Sequence, residues 1–437
     1  MENPNHGRRD DMTEFRIEGG TPLRGEVEVP GSKNAALAIL SAVLLAKGTT
    51  VLHNVPEVSD TITKAKLLKK FGAQVEWHEG SLYIDCTNLV EAEADEETVR
   101  AIRTSFYLLG PLLARIGFVR MPAPGGCKIG ARPVDFHLKG LALLGAEVEL
   151  TGGVYTAKVD KLRGAEIYLD FPSAGATQHL MSAAVLADGV TQIENAAVEP
   201  EVTALADFLN RMGARIEGAG SSTITISGVK ELIPCEYRVP SDRLQAGTYL
   251  LAAAITGGDI TTSGILPDNQ TALANKLRES GAIVEEGPDW VRVSSNTRLK
   301  GINIKTMPYP GFPTDMQQVM AAVLTTAQGT SIVEETIYES RTGHISELNR
   351  MGAQMKVEGR STIITGVDKL RGASVEASDL RAGAALCLAA MTADGVSHIR
   401  NIHYIDRGYV HFEDTLRSLG ASIDRIEHPE ESVPTNG

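Results

Sequence analysis

The stretch KKFGAQVEW, residues 69–77, decides the fold, because the chain repeats its pattern six times. A helix end runs into Gly-Ala and then into alternating apolar and polar residues, as in Ala73-Gln74-Val75-Glu76. The pattern returns as ALLGAEVEL around Gly145, NRMGARIEG around Gly213, RESGAIVEE around Gly281, NRMGAQMKV around Gly352 and RSLGASIDR around Gly420. The spacing is about 70 residues throughout, the mark of a repeated structural unit. Glycine tolerates the left-handed conformation that closes a helix, and alternation with period two marks a strand with one buried face.

A second pattern interleaves with the first. Ala/Leu-rich helices run to a glycine and then to a β-branched strand, as in AAVLADGVTQIENA at Gly189, AAAITGGDITTSGI at Gly258 and AAMTADGVSHIRNI at Gly395. LLAKGTTVLHNV at Gly48 and LTTAQGTSIVEE at Gly329 match it well, and LLARIGFVRMP at Gly117 matches more weakly. In this reading each glycine follows its helix directly in the left-handed conformation. Each unit carries two helices and several short strands, and no unit buries its apolar surface alone.

Six units allow a ring, a solenoid or two clusters of three. The helices decide between them. NAALAILSAVLLA, from Asn34, and AGAALCLAAM, after Arg381, are apolar all round, which places them inside. The expected fold class is therefore α/β, with two inside-out barrel-like domains. Each holds three repeated units with buried helices and outer sheets. YRVPSDRLQAG (237–247) and EVEVPGSKNAA (26–36) share a strand, a proline and a polar turn that opens an apolar helix. They fit a double crossover, which puts residues 13–32 plus 241–428 in one domain and residues 33–240 in the other. Residues 1–12 and 429–437 read as disordered tails.

A chain of 437 residues with 43% hydrophobic content supports two or three large cores. Aromatics make up only 5%, so aliphatic and small residues build them. The net charge of −13 argues against a general nucleic-acid binder. It leaves room for an anionic substrate, since clustered Arg and Lys set the field inside a cleft. Cys86, Cys127, Cys235 and Cys387 lie far apart, without zinc-type spacing or a disulfide pattern, and favour a reducing compartment. No stretch has the length of a membrane span and the N-terminus has no secretory apolar run, so the expected location is cytoplasmic.

The loop PAPGGCKIGARPVDFH, residues 122–137, carries the most chemistry. Cys127 lies among Gly125, Gly126 and Gly130, beside Lys128 and near Arg132. Cations beside a thiol lower its pKa and make it reactive. Read alone, Cys127 fits an incidental buried thiol equally well, while Cys86, Cys235 and Cys387 sit in structural contexts. The loop matches neither GxxxxGK[ST] nor GxGxxG. Lys33 and Asn34 open a helix, a natural anion site, though an exposed Lys beside a cap reads the same way. Arg103, Arg341, Arg381 and Arg407 sit at element ends, each readable as a surface residue or an ion pair; Asp379 with Arg381 and Asp406 with Arg407 are the local pairs expected. Asp315, in PGFPTDMQQVMAA, sits in a first helical turn, where the dipole alone explains an acid.

Taken in order, PGSKNAAL, GGCKIGARPVD, FPTDMQ, SDLRAG and IDRGY resemble the UDP-N-acetylglucosamine 1-carboxyvinyltransferase family, from about Phe15 to about Glu427. The resemblance implies two inside-out barrels closing over a cleft. It implies transfer of enolpyruvyl from phosphoenolpyruvate to the 3′-hydroxyl of UDP-N-acetylglucosamine with release of phosphate, the first committed step of peptidoglycan synthesis. Lys33 and Asn34 would contact phosphoenolpyruvate, and Arg132, Arg381 and Arg407 would hold its phosphate and carboxylate. Arg103, Arg132, Pro133, Val134, Asp135, Phe136, Phe171, Pro172, Ser173, Ala174, Asp315 and Ile337 would hold the UDP-sugar, with Arg341 and Asp379 in the same binding set. Cys127 would be the acid and carry a covalent phosphoenolpyruvate adduct, Asp315 would receive or orient the hydroxyl proton, and Lys33 would complete the catalytic set. No metal, organic cofactor, nucleic acid, membrane or obligate protein partner is expected. The alternatives are the sister activity on shikimate 3-phosphate and a catalytically silent UDP-sugar-binding paralogue.

Overall fold

The computed structural model describes residues 13–90, 94–123 and 134–428. The six Gly-Ala repeats become six copies of one helix ending. Gly72, Gly145, Gly213, Gly281, Gly352 and Gly420 all have φ between +91° and +101°. In the first copy Ala73 N–H donates to Leu68 O and Gly72 N–H to Lys69 O, the paired bonds of a Schellman cap. The same pair recurs in every copy, down to Ala421 to Leu416 and Gly420 to Arg417. Each cap turns the chain from an outer helix into a strand such as Gln74–His78.

The Ala/Leu-rich segments form the inner helices. Lys33–Ala42, Leu109–Ile116 and Ala174–Ala184 belong to one hydrophobic core, and Arg243–Thr256, Thr314–Leu324 and Leu380–Thr392 to the other. Every residue from Arg381 to Met391 is buried, as is every residue from Arg243 to Ile255. The first core draws on residues between Ala35 and Val239. The second joins Phe15–Val29 to Leu244–Ile423.

Among the described residues, six small sheets surround the helices. Most combine a parallel pair with antiparallel neighbours: Ser374–Glu376 runs parallel to Val396–Arg400, which pairs antiparallel with Thr13–Glu18. Among the described residues, the sheet of Phe118–Pro122, Val154–Lys158 and Glu147–Thr151 has three strands where the others have four. It contains the weakest copy of the second repeat.

The two crossing segments meet at their polar turns. Ser32 N–H donates to Pro240 O at 2.7 Å, and Asp242 N–H donates to Pro30 O at 2.8 Å. A buried ion pair reinforces the crossing, with Arg243 Nε 2.9 Å from Glu201 Oε1.

The second repeat differs from expectation in its glycines. Gly117 and Gly257 end their helices in the left-handed conformation, but Gly48, Gly189, Gly329 and Gly395 lie several residues past theirs, in the turn before the strand. Gly258 is not left-handed; its neighbour Gly257 takes that role at φ +67°. Gly258 is required by close approach instead, since a Cβ there would lie 2.0 Å from Leu23 O. Among the described residues no helix is long and apolar enough to cross a membrane.

Candidate active site

Several inner helices carry expected site residues in or beside their N-terminal turns. Ser32 caps Lys33–Ala42 by accepting from Ala35 N–H, so Lys33 and Asn34 occupy the first turn. Asp242 caps Arg243–Thr256 by accepting from Leu244 and Gln245 N–H. It also accepts from Lys33 N–H at 3.1 Å, tying the two helix starts together. Asp379 caps Leu380–Thr392, and Asp315 lies in the first turn of Thr314–Leu324. Helix N-termini present free N–H groups and positive dipole ends, which favour bound anions.

Arg341, Asp315 and Arg381 form a compact network. Arg341 Nη2 donates to Asp315 Oδ1 at 2.8 Å, Nη1 to Thr314 Oγ1 at 2.8 Å and Nε to Gln318 Oε1 at 3.3 Å. Arg381 Nη2 lies 3.5 Å from Asp315 Oδ2, and its Nη1 donates to the Tyr409 hydroxyl at 3.0 Å. Both arginines are only 3% exposed, so of the two expectations for them, surface residue or ion pair, it is the ion pair that the structure shows, with Asp315 as the partner of both. Burial pushes the Arg381 pKa down, but Tyr409, Asp315 and Asp242 outweigh it and hold it above the usual arginine range. Gln318 Nε2 donates to Asp379 Oδ2 at 3.1 Å, which links Asp379 to the network.

Two expected local pairs are replaced. Asp379 does not pair with the Arg381 guanidinium; it accepts from the backbone N–H groups of Arg381 and Ala382, because a cap residue faces the helix end and the Arg381 side chain turns inward. Asp406 does not pair with Arg407. Its carboxylate takes two bonds from Arg425, at 2.7 and 3.0 Å. Arg407, whose helix packs on the second core, reaches residues beside the first, with Nε 2.9 Å from Asp60 Oδ1 and Nη2 3.3 Å from Ala101 O. Asp60 Oδ2 lies 3.3 Å from Lys33 Nζ.

Ile337 is positioned by Glu335, a buried carboxylate that accepts from Ile337 N–H at 2.8 Å, Tyr338 N–H at 3.1 Å and the hydroxyls of Thr306 and Thr314. Ser173 caps Ala174–Ala184, leaving Phe171 exposed and Pro172 and Ala174 half-buried at that helix start. Val134, Asp135 and Phe136 open Asp135–Leu143. Lys139 of that helix lies 3.6 Å from Asp170, next to Phe171. Beneath it, His137 Nδ1 and His179 Nδ1 are 2.9 Å apart, and His179 Nε2 accepts from Gly110 N–H at 2.8 Å. Arg103 begins the short helix Arg103–Leu108. Cys127, Lys128, Arg132 and Pro133 lie outside the described residues.

Burial pushes the Cys86 thiol up to about 12 and raises Cys235 and Cys387 as well, as suits unreactive thiols. Among the described residues no group of three or more His, Cys, Asp or Glu side chains is arranged to hold a metal ion. Sequence reasoning missed Asp60, Glu335 and Tyr409. Asp60 left a signal as an acid in the first turn of the helix Ser59–Lys70, and Tyr409 as the last residue of the IDRGY motif; Glu335 left none.

Comparison with known proteins adds what geometry alone lacks. The family model described as EPSP synthase (3-phosphoshikimate 1-carboxyvinyltransferase) matches residues 17–416. UDP-N-acetylglucosamine 1-carboxyvinyltransferase 2 of Carboxydothermus hydrogenoformans is 51% identical over 95% of this chain and 100% of its own. UDP-N-acetylglucosamine 1-carboxyvinyltransferase of Halothermothrix orenii is 47% identical over 95% and 100%. The solved enolpyruvyl transferase NikO from Streptomyces tendae superposes with a TM-score of 0.86 at 24% identity, covering 95% of this chain and 99% of its own. EPSP synthase from Acinetobacter baumannii gives 0.74 at 22%, covering 95% and 100%. The last two likenesses speak for the fold alone, which is the two-domain α/β architecture described above. With a family model over nearly the whole chain and relatives about half identical from end to end, the chain belongs to the enolpyruvyl transferase family.

Proposed function

We propose that the chain transfers the enolpyruvyl group of phosphoenolpyruvate to the 3′-hydroxyl of UDP-N-acetylglucosamine and releases phosphate, the first committed step of peptidoglycan synthesis. The observation that carries this reading is the name shared by relatives 47–51% identical over nearly the full chain. The shikimate 3-phosphate activity shares the fold and the family model, but the solved enzyme of that name is only 22% identical. The same reading divides the chain into residues 13–32 plus 241–428 and residues 33–240, with the substrates between them in the cytoplasm.

The residue chemistry supports it. Lys33, Asn34, Arg132, Arg381 and Arg407 bind the phosphate and carboxylate of phosphoenolpyruvate, and guanidinium suits both groups by its planar fork. Arg103, the segment Arg132 to Phe136, the segment Phe171 to Ala174, Asp315 and Ile337 hold the UDP-sugar. Arg341 and Asp379 hold Asp315 and the start of the Leu380–Thr392 helix in place.

Cys127 gives its proton to the methylene carbon of phosphoenolpyruvate, which becomes a methyl group. The sugar oxygen attacks the adjacent carbon and its proton passes to Asp315. The tetrahedral intermediate then breaks its carbon–oxygen bond to phosphate, which leaves with the bonding electrons, while a methyl proton returns to the Cys127 thiolate and the C–H electrons form the enol ether double bond. The Lys/Arg set stabilises the anionic charge throughout, and closure of the domains excludes water.

The test is phosphate release by the purified chain with phosphoenolpyruvate and each acceptor in turn. Release with UDP-N-acetylglucosamine alone supports the reading. Release with shikimate 3-phosphate moves the assignment to the sister activity. Failure with both at high enzyme concentration favours a silent binding module.

A further inference from the structure

Glu335 stands just past the strand Thr330–Glu334, and its buried carboxylate works in two directions. Oε1 accepts from Ile337 N–H at 2.8 Å, Tyr338 N–H at 3.1 Å and the Thr306 hydroxyl at 2.8 Å, which folds the turn after the strand back onto it. Oε2 accepts from the Thr314 hydroxyl at 2.9 Å. The first oxygen therefore serves the turn that carries Ile337, and the second serves the helix start that carries Asp315.

Chemistry fixes the direction of each bond around Thr314. A guanidinium only donates, and an ionised carboxylate only accepts. Thr314 Oγ1 receives Arg341 Nη1 at 2.8 Å, so its single hydrogen points to Glu335 and its lone pairs face Arg341. Arg341 makes its other side-chain bonds to Asp315 Oδ1 at 2.8 Å and Gln318 Oε1 at 3.3 Å. Arg341 is buried, so a lost acceptor is not replaced by bulk water and costs a buried donor its partner. Tyr338, held by Glu335 at its backbone, also sets its ring centre 5.6 Å from Arg341 Cζ. All of these residues lie between Thr306 and Arg341, beside the second core, so the arrangement needs no contact across the cleft.

We infer that Glu335 is a positioning residue for Asp315: through the Thr314 hydroxyl it fixes Arg341, Arg341 fixes the Asp315 carboxylate, and the same Glu335 carboxylate ties that orientation to the Ile337–Tyr338 turn. Asp315 as proton acceptor and Ile337 as a contact of the UDP-sugar rest on the proposed function; the relay from Glu335 to Asp315 does not. Glu335 touches no reacting atom. It sets two sides of the sugar site from one carboxylate, so the group that receives the hydroxyl proton and the turn that meets the sugar keep a constant spacing.

Glu335→Gln separates the two arms. It keeps an oxygen for the three donors of the turn and faces Thr314 with an NH2, so hydrogen meets hydrogen there. Thr314→Val removes the relay hydroxyl, and Thr314→Ser restores it. Thermal melting confirms folding, and phosphate-release kinetics read both arms. In Glu335→Gln and in Thr314→Val, kcat is expected to fall about tenfold or more, while the KM values for the UDP-sugar and phosphoenolpyruvate stay within about threefold. Thr314→Ser is expected to keep kcat near wild type, and the double variant Glu335→Gln/Thr314→Val to be no slower than Thr314→Val alone, since both changes break one relay. Wild-type kcat in Glu335→Gln, equal losses in Thr314→Ser and Thr314→Val, or additive losses in the double variant overturn the inference. Crystal structures of Thr314→Val and Thr314→Ser without substrates give a reading free of activity: the Asp315 carboxylate is displaced in the first and kept in the second. If wild type itself releases no phosphate, the proposed function fails, and an unmoved Asp315 in Thr314→Val still overturns the relay.

Discussion

At the scale of single residues, the account turns on Cys127 and Asp315. An epoxide of the fosfomycin type is expected to alkylate Cys127 and abolish activity, because a thiolate near cations opens such rings. Peptide mass spectrometry locates the adduct, and activity that survives full modification removes Cys127 from the mechanism. Cys127→Asp is expected to resist the epoxide and keep transfer activity, since a carboxylic acid also donates a proton. Asp315 sits between Arg341 and Arg381. Asp315→Asn keeps that shape but accepts no proton, so kcat is expected to fall by about 10²–10⁴, with binding of the UDP-sugar by calorimetry much less affected. Loss of binding with intact turnover per bound substrate would make Asp315 a binding residue only.

The sequence told Lys33, Asp315 and Arg381 apart from ordinary surface residues only through the order of the motifs around them. Their own contexts, a Lys beside a cap or an Asp in a first turn, are common in any helical protein. What stayed hidden was partnership. Arg407 stands next to Asp406 in sequence, yet its bond goes to Asp60, 347 positions away. Local charge patterning cannot reveal a pair made by the meeting of two domains.

At the scale of elements, the glycines separate two physical costs. Gly213 has φ +101° and open space where a Cβ would go. Gly213→Ala therefore meets only the left-handed penalty of about 1–2 kcal/mol, read as a lower urea midpoint with an unchanged slope. Gly366 has ordinary backbone angles, but its Cβ would sit 1.6 Å from Ala327 O. That contact is with backbone and cannot relax by a side-chain rotation, so Gly366→Ala is expected to cost more than Gly213→Ala despite its easier φ. The reverse order in urea unfolding would contradict this account of the repeat. The Gly-Ala endings were legible in sequence because a Schellman cap needs a particular residue at a fixed place. The turns at Gly189, Gly329 and Gly395 were legible as turns only, since nothing local says how far a helix runs before it.

At the scale of the whole molecule, three buried histidines set a response to acid. Burial, and then the charge of Arg103, lowers His137 to about 3. Burial chiefly lowers His344 to about 4 and takes His179 well below its ordinary value. Unfolded, each titrates near about 6.5, so between that pH and the folded value the unfolded chain binds more protons. Stability must then fall as pH drops below about 6.5, by about 1.4 kcal/mol per pH unit for each histidine. Urea midpoints at pH 7.5 and 5.0 measure it, and His344→Leu is expected to flatten the dependence. An equally steep dependence in that variant would remove His344 from the cause.

The architecture was legible because six repeats with apolar helices leave few ways to bury them. The cleft chemistry was less so. The cations proposed for it, Lys33, Arg341, Arg381 and Arg407, are spread over 374 positions of the chain. The most direct test of the whole account is the proton NMR spectrum of the product formed in deuterated water from phosphoenolpyruvate and UDP-N-acetylglucosamine. Protonation to a methyl group followed by loss of a methyl proton predicts a UDP-sugar enol ether whose vinyl signals are weakened by deuterium. No vinyl ether on the UDP-sugar, or its formation on shikimate 3-phosphate instead, would contradict the account.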